Sequence, residues 1–223
     1  MRVMNPRNPY EPMNSITPAP KIGATHWLIG LNVLAFFLQW SDPPSAMQWF
    51  ALWPLNVGNF VDFPHLFELW QILTSAFLHS NITHLAFNML GLWMFGREVE
   101  AAFNTHRFVV LYFVSILSAS LCQLLTLYLA EEFAPTVGAS GGVMGILLAF
   151  AMLYPKRIIV LLIPPIPLPA WLFVPLFALL ELFLGLSGKQ AGVAHFAHLG
   201  GMLGSFLLTR HWLQTLRRVD QVE

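Results

Sequence analysis

Two stretches of the chain hold residue types suited to covalent chemistry. One is a serine among glycines, Val137-Gly138-Ala139-Ser140-Gly141-Gly142-Val143-Met144-Gly145; the other is a histidine beside paired glycines, Ala197-His198-Leu199-Gly200-Gly201. A serine hydroxyl is a weak nucleophile until a base takes its proton, and an imidazole must come within about 2.6–3.2 Å to do so. A third stretch, His79-Ser80-Asn81-Ile82-Thr83-His84-Leu85-Ala86-Phe87-Asn88, puts His84 and Asn88 four residues apart on one helix face. Side-chain donors so placed suit an oxyanion that develops during attack on a carbonyl. Where a helix opens at Ser140, its free N–H groups and its dipole add to the same effect.

Each feature also has a purely structural reading. Gly138-Ala139-Ser140-Gly141-Gly142 fits G-x-S-x-G, but that turn needs a preceding strand, and no strand-rich region precedes it here. The soluble-hydrolase reading therefore fails. The alternative is a packing face of small residues at four-residue spacing, Gly141, Gly145 and Ala149, matched by Gly201 and Ser205. Such faces let helix backbones approach closely, which a serine–histidine contact also requires. His198 read alone is a polar residue bonded between helices. On a helix of about 100° per residue, Ala194, Gly201 and Ser205 fall within about 60° on one side of His198, and His195 falls on the other, beside Met202. The small-residue seam thus borders His198, and the base is assigned there rather than to His195. A metal centre competes, given His79, His84, His195 and His198. No carboxylate or thiolate accompanies them at ligand spacing, and HExxH and CxxC are absent, so neither metal nor cofactor is expected. Glu181, inside an apolar run, reads as a residue bonded to a neighbouring helix or reaching interfacial water, with an acid orienting His198 as the alternative.

The elements that must position these residues are hydrophobic. Of 223 residues, 57% are hydrophobic and 10% charged, against roughly 25% charged in soluble domains, so the chain reads as a membrane protein with one helical domain. The formal net charge is zero and the basic residues form no dense cluster, which argues against nucleic acid as a partner. The single cysteine, Cys122, lies in an apolar run and reads as a packing residue. Residues 1–22, with Pro6, Pro9, Pro12, Pro18 and Pro20, read as a poorly ordered tail, in the wrong order for a cleaved signal peptide. Six spans follow: 24–40, 82–96 or slightly beyond, 108–130, 140–154, 170–186 and 192–208. The connection 41–80 is rich in Trp and Phe and reads as partly sunk in one leaflet. Prolines 164, 165, 167 and 169 exclude helix, so 158–169 reads as a surface excursion. The domains are then a tail (1–22), a six-span region (23–209) and a second tail (210–223). Six spans put Arg2, Arg7, Lys21, Arg97, Arg107, Lys156, Arg157, Arg210, Arg217 and Arg218 on one side and only Lys189 on the other. The positive-inside rule makes the first side cytoplasmic, with both termini there. Ser140, His198, His84 and Asn88 then lie at a common depth near the outer face.

The three polar motifs, in this order and in these spans, resemble the rhomboid intramembrane serine proteases of the six-span bacterial type, over nearly all of 24–208. The resemblance implies an all-α bundle with a membrane-dipping first loop. It also implies a Ser140–His198 dyad without an acid, and an oxyanion hole of His84, Asn88 and the Ser140 N–H. Gly138, Gly141, Met144 and Gly201 take supporting positions. Three departures stand out: Trp70-Gln71 where the family often has Trp-Arg in the first loop, Met144 where an aromatic often stacks on the histidine, and Ser205 where glycine is frequent.

The expected function is a serine endopeptidase of the plasma membrane, the inner membrane in a Gram-negative bacterium, cutting transmembrane segments of other proteins near the outer face. Span five, interrupted by Pro175, and the loop 186–193 are its expected mobile parts. Its partners would be those substrates and the lipid bilayer. The rivals are a rhomboid-like pseudoprotease that binds membrane clients without cutting them, and a small transporter, which should carry charged midplane sites. The charge asymmetry is directly testable. Reporter fusions after Glu223 should read cytoplasmic and fusions within 131–136 external; an external C-terminus would refute the six-span topology.

Overall fold

In hydrocarbon, every backbone N–H and C=O must find its partner within the segment, and helices satisfy this rule for long apolar runs. The computed structural model describes residues 23–55, 67–160, 165–188 and 192–219. The tail 1–22 and parts of the loops 41–80 and 186–193 lie outside the described residues. The first helix is α1 (Ala24–Ser41), followed in the first loop by α2 (Pro43–Phe50), α3 (Gln71–Thr74) and a 3₁₀ turn (Ser75–Phe77). Then come α4 (Ile82–Gly91), a π-helical turn (Leu92–Gly96), α5 (Arg97–Phe103) and α6 (Thr105–Ala130). The chain continues through α7 (Ser140–Leu153), α8 (Ala170–Ser187) and α9 (His195–Val219). A helix thus occupies each expected span in an all-α bundle. By length and composition, α6 and α8 are apolar enough to cross a membrane, while α7 is apolar but shorter.

Several details differ from the sequence reading. The excursion after α7 contains two short antiparallel strands, β1 (Ile158–Val160) and β2 (Pro167–Pro169), with Ile159 opposite Leu168. Prolines lack the N–H for a ladder, and both here sit at the ends of an edge strand, where that is tolerated. Pro175 does not interrupt span five; α8 runs through it. The helix of the sixth span, α9, begins at His195, later than expected, and continues past 209 to Val219.

The helix α7 is the axis of the bundle. Ten of its 14 residues are buried. Its length of about 21 Å, at about 1.5 Å per residue, falls short of a hydrocarbon core of about 30 Å. Its N-terminal residue, Ser140, is therefore recessed wherever α7 ends at the opposite face. The neighbours α6 and α9 come close because small residues line the seams. A Cβ on Gly201 would collide with the Gly141 carbonyl of α7, and one on Gly141 with the Ala119 methyl of α6. Ser205 Oγ, buried, donates to the Gly145 carbonyl at 2.6 Å. The departure from glycine at 205 thus adds a polar bond to the seam.

At the other end, Glu100 in the polar α5 ties three elements. It accepts from Ala24 N at 2.7 Å, Thr25 N at 3.0 Å, Thr25 Oγ1 at 2.7 Å and Thr105 Oγ1 at 2.8 Å. It thereby satisfies N–H groups that the first turn of α1 leaves unpaired. Burial opposes its charge, but the bonds from Thr25, Thr105 and Ala24 outweigh that and hold the carboxyl below its ordinary range. A carboxyl lowered in the folded state stabilises the fold above its unfolded pKa, and loses this effect as pH falls through the folded value. Glu100→Ala should lower the melting temperature in detergent near pH 7 by on the order of 5 °C, for about 2 kcal/mol lost. The gap from wild type should narrow on acidification below the ordinary carboxylate range. A gap independent of pH would show that the charge on Glu100 is not what stabilises the junction.

Candidate active site

The segment before α7 is held from three directions. Leu52 of the first loop pairs with Thr136 through Leu52 N to Thr136 O (3.0 Å) and Thr136 N to Leu52 O (2.9 Å). Gln123 of α6 donates to Thr136 Oγ1 at 3.2 Å, and Gly138 N donates to Ser75 O at 2.9 Å. The first loop is itself anchored by Gln71, buried and accepting from Trp53 N and Glu68 N, each at 3.2 Å. The Trp70-Gln71 departure therefore retains an anchor, made by an amide. Gly138 has φ +130°, a conformation that side-chain-bearing residues rarely adopt. The turn made there delivers Ser140 as the first residue of α7, with first-turn N–H groups that have no intrahelical acceptor.

Across the α7–α9 seam, His198 Nε2 lies 2.8 Å from Ser140 Oγ. On its other side, His198 Nδ1 lies 2.8 Å from Glu181 Oε2, and the same oxygen lies 2.8 Å from His195 Nδ1. The two rings meet edge-on with centroids 6.4 Å apart. An ionised carboxylate oxygen only accepts, so these contacts suit the tautomer of each ring with its proton on Nδ1, the form in which His198 Nε2 is an acceptor facing the serine hydroxyl. The structure thus brings together Ser140 and His198, and adds Glu181, which the sequence reading left as a structural residue. The expectation that no carboxylate accompanies the histidines holds along the chain but not in space. Among the described residues, Glu181, His195 and His198 present ligand atoms within 4.8 Å of one another. The three groups meet through the contacts of both Nδ1 atoms with the shared Glu181 oxygen. Spacing could not reveal it, because Glu181 arrives on α8. The available signal was Gly185, four residues along on the same face: a Cβ there would lie 3.2 Å from His195 Cβ and 3.0 Å from Phe196 Cε2, so α8 can sit close to the start of α9.

His84 reaches the same place from α4. Asn81 caps that helix by accepting from His84 N at 2.8 Å, and Ser80 Oγ lies 3.1 Å from His84 Nδ1. The ring covers Gly138: a Cβ there would stand 2.6 Å from His84 Cε1, 2.7 Å from Nε2 and 3.7 Å from Ser140 Oγ. Asn88, one turn along α4, is buried, and its Nδ2 has no hydrogen-bond partner among the described residues. His79 is not part of this group of donors. Its ring meets His84 edge-on at 5.1 Å, and its backbone is clamped by Gln39, which accepts from His79 N at 3.0 Å and donates to His79 O at 2.9 Å. Met144, half-buried one turn beyond Ser140, packs against the apolar core. Beside Ser140 lies a cavity of about 30 Å³, with Ser75, Ser120, Gln123 and Thr136 as its polar lining, room for about one water.

Known proteins resemble this chain over most of its length. Residues 66–214 match the Rhomboid domain family model, a span that includes all three polar stretches. The chain is 32% identical over 178 residues to Rhomboid protein 1, mitochondrial, of Saccharomyces cerevisiae, covering 79% of this chain and 49% of that protein. It is 28% identical over 205 residues to Rhomboid protease AarA of Providencia stuartii, covering 84% of this chain and 72% of that protein. Rhomboid protease GlpG of Salmonella paratyphi A is 28% identical over 141 residues, covering 61% of this chain and 46% of that protein. The chain thus spans about half the length of the yeast protein. With the family model matching most of the sequence and the helical bundle carrying its polar stretches inward, the chain belongs to the membrane-embedded rhomboid family.

Proposed function

We propose that this protein is an intramembrane serine endopeptidase in which Ser140 is the nucleophile and His198 its general base. The observation that carries the reading is the 2.8 Å contact between His198 Nε2 and Ser140 Oγ, across a seam of small residues. His198 takes the hydroxyl proton as Oγ attacks a peptide carbonyl, and then returns it to the departing amine. The tetrahedral intermediate places negative charge on the former carbonyl oxygen. The Ser140 N–H, His84 and the unpartnered Asn88 amide are the donors for it, a preorganised set in a site of low dielectric. The acyl-enzyme is then opened by water, for which the small cavity beside Ser140, with Ser75, Ser120, Gln123 and Thr136 on its wall, offers a holding place.

The substrate class follows from the setting. A recessed Ser140 in a membrane-embedded bundle meets segments that lie in the bilayer. Such a segment must unwind locally, because helical carbonyls and amides are otherwise paired internally. The family names among the relatives, Rhomboid protease AarA and Rhomboid protease GlpG, support the same class of activity. The asymmetry of basic residues supports cytoplasmic termini and a cut near the outer face of the plasma membrane.

The rival reading, a client-binding protein without hydrolytic activity, fits poorly with a complete serine, base and donor set. The discriminating experiment uses purified protein in detergent with a panel of single-span substrates. Wild type should cut at least one of them, and Ser140→Ala none. Equal processing by both would refute the assignment. Asn88→Ala should reduce turnover on the order of 10²–10³ with substrate binding largely kept, the usual loss for one oxyanion donor. Unchanged turnover would remove Asn88 from the hole.

A further inference from the structure

We propose that Glu181 is a positioning residue for His198, so that Ser140, His198 and Glu181 act as a linear triad whose carboxylate is steadied from its far side by His195. The inference rests on the protease reading above and goes beyond it, since the family resemblance implies a dyad without an acid.

The geometry is continuous from one end to the other. Ser140 Oγ to His198 Nε2, His198 Nδ1 to Glu181 Oε2, and His195 Nδ1 to the same Oε2 are each 2.8 Å. The Glu181 and His195 side chains are 7% and 5% exposed, so little water competes for these bonds. An imidazole can act as base toward Ser140 only in the tautomer with its proton on Nδ1, and a carboxylate at Nδ1 selects that tautomer. As His198 takes the serine proton, the new imidazolium stands against an ionised oxygen in a poorly solvated setting, where opposite charges attract far more strongly than in water. His195 gives the shared oxygen a second donor, which fixes the direction of the carboxylate. Gly185, one turn from Glu181, permits the approach of α8 to α9 on which all of this depends.

The competing account is mechanical: a carboxylate in an apolar helix needs donors, and Glu181 would merely tether α8 to α9. Kinetics on purified protein separates the two. If Glu181 positions the base, Glu181→Gln should lower kcat on the order of 10²–10⁴ with KM within a few-fold, at a melting temperature near that of wild type. His195→Ala, which leaves the Glu181–His198 bond in place, should lose no more than about tenfold of kcat. A tether would instead lower the melting temperature in both variants with kcat per folded molecule unchanged, and that result overturns the proposal. A second readout needs no variant at Glu181. Nitrogen-15 spectra of histidine-labelled wild type, with His198 assigned by the signals lost in His198→Ala, should show the neutral ring protonated on Nδ1. A ring protonated on Nε2 would refute the proposal even where Glu181→Gln fails to fold. Wild-type kcat in Glu181→Gln with an inert Ser140→Ala would refute the triad alone. Cutting by Ser140→Ala would refute the protease reading beneath it.

Discussion

The approach of α9 to α7 at Gly201 and Gly141 is the constraint on which the rest of this structure depends. Lipid gives helices no hydrophobic reason to associate, so contact must come from shape and from polar bonds. Here both are present. The absence of side chains at 141 and 201 brings one backbone against the other, and Ser205 Oγ bonds the Gly145 carbonyl one turn along each helix. The Ser140–His198 contact lies at the end of that same seam. Any side chain at Gly201 would push α9 away from α7 and lengthen a bond that has no slack at 2.8 Å.

A second constraint is the cost of polar groups within an apolar bundle. At two places the structure meets it by gathering several donors on one carboxylate. Glu100 takes four donors at one end, and Glu181 takes two imidazole donors at the other. Asn88 Nδ2 is among the buried side-chain atoms with no partner among the described residues, as are both ring nitrogens of His79 and Nε2 of His195. At Asn88, a donor left free at that cost suits a site whose acceptor exists only while a substrate reacts.

The bundle was legible because uninterrupted apolar runs leave helix as the only way to pair the backbone, and because small residues at four-residue spacing mark where backbones touch. The seam of Ala194, Gly201 and Ser205 pointed to His198 rather than His195 for the same reason, and His198 is the ring that faces Ser140. Glu181 was not legible as a neighbour of either ring. Its partners lie 14 and 17 residues away on another helix, and the pairing depends on how closely α8 approaches α9. Pro175 misled because a proline weakens a helix without necessarily ending it when neighbouring helices support the turn. The short strands at Ile158–Val160 and Pro167–Pro169 are too brief and too rich in proline for alternation to register. The anchoring role of Gln71 depends on bonds to the backbones of Trp53 and Glu68, which residue type alone does not specify.

The central claim is that Ser140 is an activated nucleophile and His198 the group that activates it. The direct measurement is to treat the purified wild-type protein with a fluorophosphonate and locate the adduct by peptide mass spectrometry. The account predicts one adduct, on Ser140, formed far more slowly in the folded His198→Ala variant. An adduct on a different residue, or labelling of Ser140 at an undiminished rate without His198, would contradict it.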